Sequence, residues 1–151
     1  MQTFVPYPSF ELSASVLDYR RLGKQRVETY QILKTLTGES SGWANHPATK
    51  MWQGHPAGLC AYGIAICSEW TKRGYQDTCA EKMRALILPD EQDLPFWWGD
   101  TGVHASHRSN LMRKANDTKN PKERTKMMEW YGQWGWEDDP SAPYVWPALV
   151  V

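Results

Sequence analysis

Between Pro56 and Gly74 the apolar side chains Leu59, Tyr62, Ile66 and Trp70 recur on one face of a helix, which Arg73 and Gly74 close. An amphipathic helix of that length has to bury its stripe against other elements, and the chain supplies more of the same kind. The stretch opening at Arg20 predicts a second helix running to Leu36, with Val27, Tyr30, Leu33 and Leu36 at helical spacing and Gly38 as its stop. Gly23 inside that pattern either kinks the helix or marks its true beginning. A helix is expected from about Glu11 to Asp18, and Thr78 with Glu81 reads as the capping box of a short one. His104 to Lys114 is expected to be helical, and Asn120, Pro121 and Glu123 make a helix start whose run reaches Tyr131.

The segment "HPATKMWQGHPA" reads as a loop with one short helical turn, and "LPDEQDLPFWWGD" reads as a loop. Few stretches alternate as strands do, while the opening "MQTFVPYPSF" and the closing "PSAPYVWPALVV" are expected to be extended. The expected fold class is all-α: a single compact multi-helix domain over residues 1–151 with extended termini. No apolar run approaches the roughly 20 residues of a membrane span, and no signal-peptide pattern opens the chain. Cys60, Cys67 and Cys79 are odd in number and form no CxxC pair; they read as reduced core thiols of a cytoplasmic protein.

Charge narrows the function. Lys plus Arg equals Asp plus Glu at 17 each, so an anionic partner has to be met by a local patch. One patch is Arg20, Arg21, Lys24 and Arg26. Arg20 with Lys24, and Arg21 with Lys24, share a face near a helix N-terminus, an arrangement that suits phosphate or sulfate. The competing reading is a solvated face with local ion pairs to Asp18 and Glu28.

A second patch lies around the histidines. His46 and His55 precede prolines, with Lys50 between them, and His104, His107 and Arg108 project from one helical face ahead of Arg113 and Lys114. "HxxHR" offers two metal ligands beside an arginine that opposes a cation, so no metal site is expected. Imidazole beside arginine is better matched to an anion. The plain alternative is histidines that hydrogen-bond their adjoining loops. The run "EWYGQWGWEDD" places Trp130, Tyr131, Trp134 and Trp136 close together, either as a base-stacking surface or as a core cap beside acidic residues.

Taken in order, "LDYRRL", "GHPAGLCAYGIAICSEWTKRGYQDT", "GDTGVHASHRSNLMRK" and "EWYGQWGW" make the chain resemble the pyrimidine-dimer DNA glycosylase family over nearly its whole length. The likeness is greater to bacterial members that share "RRLGKQRVE", "HPA..MW.GH" and "H.SHR". The resemblance implies an all-helical DNA-repair enzyme, a glycosylase with AP-lyase activity, that uses no metal or organic cofactor. Its substrate would be damaged duplex DNA, with no membrane and no obligate protein partner involved. In such enzymes the chain's own α-amine attacks C1′ of the damaged nucleotide, forms a Schiff base and nicks the strand by β-elimination. An α-amine titrates near about 7.7–8.0, so a useful fraction is neutral and nucleophilic at neutral pH.

Carried over by position, Arg20 matches the arginine of the family's Tyr-Arg-Glu-Leu motif and Arg26 its following phosphate-binding arginine. Trp130, Tyr131 and Gly132 match its C-terminal aromatic segment. The family's catalytic glutamate falls at Arg21, so Asp18, one turn earlier, or Glu28, two turns later, has to substitute. Residue 2 is Gln, whose bulk disfavours removal of the initiator, which leaves the amine on Met1. Two further functions fit the residues. One is an enzyme or binder for a nucleotide or other phosphorylated small molecule; the other is a non-catalytic module docking through its Trp-rich end.

Overall fold

The structure is a computed structural model that describes residues 1–136 together with Val145 and Pro147. Apart from those two residues, the closing segment read as extended lies outside the described residues, as do Glu137, Asp138 and Asp139. Among the described residues the elements are α1 (Phe10–Ser15), α2 (Tyr19–Leu36), α3 (Pro47–Lys50), α4 (Pro56–Lys72), α5 (Cys79–Leu86), α6 (Thr101–Asn116) and α7 (Pro121–Gly132), with no strand. The fold is all-α. Among the described residues no helix is long and apolar enough to cross a membrane.

Helix α4 is central. Leu59, Cys60, Tyr62, Ile66 and Cys67 are buried, and α1, α2 and α5 pack around it. The helix starts follow from their caps. Asp18 accepts the backbone N–H groups of Arg20 and Arg21, Asp100 those of Gly102 and Val103, and Asn120 those of Lys122 and Glu123. Asp18 is thus committed to opening α2, which is why α1 ends at Ser15 rather than reaching it. At α5 the caps come from Asp77, which accepts the N–H groups of Cys79 and Ala80, while Thr78 makes no side-chain cap bond. Gly23 neither starts nor breaks α2. A Cβ there would stand 2.8 Å from the Trp70 ring, so glycine lets α2 and α4 approach each other.

The least expected feature is the burial of the chain's beginning. Residues 2–6 are buried without forming helix or strand, and side chains satisfy their backbone groups in place of a ladder. Gln25 Oε1 accepts the Phe4 N–H at 3.0 Å, His107 Nδ1 accepts the Val5 N–H at 3.0 Å, and His104 Nδ1 donates to the Val5 carbonyl at 2.7 Å. Tyr62 donates to the Phe4 carbonyl at 2.6 Å and Arg108 to the Pro6 carbonyl at 2.7 Å. Helices α2, α4 and α6 thereby hold the N-terminal segment in one position.

Candidate functional site

Where that segment emerges, a cleft of about 460 Å³ opens between it, α2, the end of α6 and the middle of α7. Helix α2 contributes Arg20, Arg21, Lys24, Gln25 and Glu28, since residues three and four apart share one side. Met1, Gln2, His46, Lys114 and Thr118 complete the part of the lining that carries polar chemistry.

Glu28 is the carboxylate at its centre. Its Oε2 accepts the Gln2 backbone N–H at 2.7 Å and lies 4.0 Å from the Met1 nitrogen, while its Oε1 is 3.6 Å from Lys24 Nζ. Only 12% of its side chain is exposed, against 75% for Lys24, so the cation screens the mouth and the carboxylate sits inside. Asp18, the other carboxylate open to the role by position, is differently placed. It caps α2, pairs with Arg21 at 3.0 Å and accepts a hydrogen bond from the Tyr131 hydroxyl. All of its acceptor capacity serves the fold.

Arg21 bridges the two regions, lining the cleft while its guanidinium holds Asp18. Arg20 is more exposed and pairs with Glu123 of α7 at 3.5 Å. Lys114 is an exposed residue. The protein mass around its ammonium, and then the charges of Arg21, Lys24 and Arg113, lower its pKa below the ordinary lysine value. That shift reports the crowding of positive charge here, with Glu28 as the opposing carboxylate of the lining. Burial, followed by the Met1 ammonium, lowers the His46 pKa as well, which places the imidazole near the amine. His46 Nδ1 also caps α3 by accepting the Ala48 N–H at 3.0 Å.

The remaining residues singled out by sequence do not converge on the cleft. Arg26 turns toward α5, donating to Asp77 at 2.6 Å with its guanidinium 4.5 Å from the Trp70 ring centre. His55 pairs with Asp93 at 2.7 Å, and Lys50 is exposed at the end of α3, outside the lining. His104, His107 and Arg108 share a face as their spacing requires, but that face points inward onto the N-terminal segment. Burial pushes the His107 imidazole down to about 3 and lowers His104 too, so both are neutral at physiological pH. Tyr131 is buried and stacks on Trp136, and Trp130 donates to the Val16 carbonyl at 2.7 Å with the half-exposed Trp134 edge-on to it.

Among the cleft residues that escaped the sequence reading are Gln2 and Gln25. Gln25 looks like one more polar residue of a helix, yet it is 2% exposed and holds the Gln2 carbonyl and the Phe4 N–H together. The only available signal was a polar side chain on the same helical side as Leu22, Thr29 and Ile32. Cys60, Cys67 and Cys79 are free and buried, and burial raises the Cys60 thiol to about 11, far from thiolate reactivity. Among the described residues no three His, Cys, Asp or Glu side chains gather as a metal site requires.

A family model described as pyrimidine dimer DNA glycosylase matches residues 1–83. The matched stretch contains the N-terminal segment and every α2 residue of the cleft; Lys114 lies beyond it. No curated protein and no solved structure matches the chain.

Proposed function

The chain belongs to the pyrimidine dimer DNA glycosylase family, and from that premise we propose that it removes a damaged or modified pyrimidine from duplex DNA and nicks the strand as an AP lyase. The observation that carries this reading is the Met1 nitrogen standing 4.0 Å from Glu28 Oε2 in a cleft otherwise rich in cations. Glu28 takes a proton from the ammonium, and the freed amine attacks C1′ of the deoxyribose. A C–N bond forms as the glycosidic bond breaks, its electron pair leaving with the base, which is protonated. Opening of the sugar gives a protonated Schiff base. Loss of a C2′ proton to a base then expels the 3′ phosphate by β-elimination.

Passing that proton to the departing base returns Glu28 to its carboxylate, which then opposes the positive charge on the sugar and the Schiff base, an effect enlarged by its shielded position. Arg20, Arg21, Lys24 and Lys114 would hold the phosphates on either side and so fix the nucleotide relative to the amine. Such contacts position the strand; they do not identify the lesion.

A formal net charge of zero favours a second reading, a nucleotide or other phosphorylated small molecule in the same cleft. Incision of duplexes carrying one cyclobutane dimer or one abasic site separates the two. The DNA reading expects strand scission at the lesion by β-elimination, with an undamaged duplex left intact. Absence of scission on both substrates, combined with saturable binding of a free nucleotide, would replace it with the second.

A further inference from the structure

The loop joining α2 to α3 holds a residue that neither the packing nor the amine–carboxylate pair accounts for. Trp43 has φ +66°, and among the described residues it is the one non-glycine residue with positive φ. For a side chain of that bulk the left-handed region is a genuine outlier. Nor does burial offset the strain, because the residue is 51% exposed.

The surrounding loop imposes this geometry. Thr35 Oγ1 donates to the Gly42 carbonyl, the Gly42 N–H donates to Ser40 Oγ at 3.1 Å, and the His46 N–H donates to the Trp43 carbonyl at 3.0 Å. The indole meets His46 in a T-shaped contact, with centroids 5.8 Å apart and planes at 80°. His46 in turn lines the cleft that holds Met1 and Glu28. Strain and exposure of a large aromatic are each unfavourable alone, and they coincide beside the cationic cleft; local strain of this kind collects where it is used.

Resting on the DNA reading above, we propose that Trp43 is a stacking platform for an unpaired nucleobase at the mouth of the cleft. Every base presents a π-face, so such a platform serves any base and adds affinity without reading sequence. The charges nearby complement this occupant. Lys24 and Lys114 stand in the cleft and Lys50 at the end of α3, each able to meet a phosphate of the strand whose base is stacked. Among the described aromatics of α7, Tyr131 is committed to the core and Trp130 to the Val16 carbonyl.

The test is fluorescence anisotropy with end-labelled duplexes that contain an abasic site or no damage, read across a range of salt concentrations. Trp43→Ala is expected to weaken binding to the abasic duplex about tenfold, and Trp43→Phe to restore most of it. The slope of affinity against salt should be unchanged, because stacking releases no counterions, whereas Lys24→Ala should lower it by about one. Trp43→Gly suits the left-handed backbone and should bind as poorly as Trp43→Ala while melting no lower than the wild type. Wild-type affinity in both Trp43→Ala and Trp43→Gly overturns the platform, as does a Phe variant no better than Ala. A wild-type protein that binds neither duplex overturns the DNA reading and the platform with it.

Discussion

The Gln2 backbone N–H donates to Glu28 Oε2 at 2.7 Å, and this bond fixes the carboxylate 4.0 Å from the Met1 nitrogen. Neither partner reaches the other through local sequence. They meet because residues 2–6 are clamped by Gln25, Tyr62, His104, His107 and Arg108 from three helices. The interior thus works as a mount for the chain's first residue, and the chemistry proposed for the cleft depends on that mount.

Substituting each carboxylate separates the two positions. Glu28→Gln keeps an oxygen to accept the Gln2 N–H, so its melting temperature should stay near that of the wild type. Its rate of strand scission should fall by about 10²–10⁴, the usual worth of a positioned acid–base group. Asp18→Asn instead keeps an oxygen for the α2 cap but loses the charge and the second acceptor that meet Arg21 and Tyr131, and should lower stability by roughly 1–3 kcal/mol. Thermal melting run beside scission kinetics checks both outcomes.

The basic residues should divide by location. Lys24→Ala and Lys114→Ala should each reduce the salt dependence of DNA affinity by about one charge, with little change in stability. Arg26→Ala should leave that slope alone and destabilise the fold by on the order of 2 kcal/mol. It strands Asp77, whose carboxylate is then held by the Cys79 and Ala80 N–H groups without its cation. Equal salt slopes for the Lys24 and Arg26 variants would contradict this division.

One glycine should tolerate no side chain. A Cβ on Gly58 would lie 1.8 Å from the Asp93 backbone carbonyl oxygen, and backbone cannot swing aside as a flexible side chain can. The same Asp93 also accepts the Gly58 N–H at 3.1 Å and pairs with His55, so a shift breaks several bonds together. Gly58→Ala should cost at least about 3 kcal/mol, read as a lowered urea midpoint.

Acid should weaken the fold before the carboxylates titrate. His107 has its pKa pushed down to about 3 by burial, and burial lowers His104 as well. Each is neutral when folded and gains a proton on unfolding, so below about pH 6.5 the unfolded chain binds more protons. Their contribution is fully present above about pH 6.5 and is lost as the pH falls toward the folded values, by up to about 1.4 kcal/mol per pH unit for each histidine. Urea midpoints should drop between about pH 6.5 and pH 5, and His107→Gln should show a shallower drop. A flat profile over that interval would contradict the assignment of these groups as buried and neutral.

Local pattern made much of this legible. The face of Leu59, Tyr62, Ile66 and Trp70 gave α4, and Asn120 with Pro121 gave the start of α7. In α2 the reading turned on hydrophobicity alone and so favoured Val27, which is 44% exposed, over Gln25 and Thr29, which are buried. Gln25 faces inward because its amide meets the backbone groups of Gln2 and Phe4, and Thr29 accepts from Gln25 beside it; no helical period announces that. The same reason hides the inward role of His104 and His107. Their spacing shows that they share a side but not whether that side meets ligand or protein. The cationic cluster on α2 was visible; the partnership of Met1 with Glu28 required the tertiary fold.

Borohydride reduction on a duplex carrying one abasic site, followed by peptide mapping of the cross-linked protein, tests the central claim most directly. The expected result is a single covalent adduct on the peptide that begins at Met1, lost when the α-amine is blocked beforehand and formed much more slowly by Glu28→Gln. An adduct mapped to Lys114 or another lysine, or one that survives blocking of the α-amine, would contradict the assignment of the chain's first nitrogen as nucleophile.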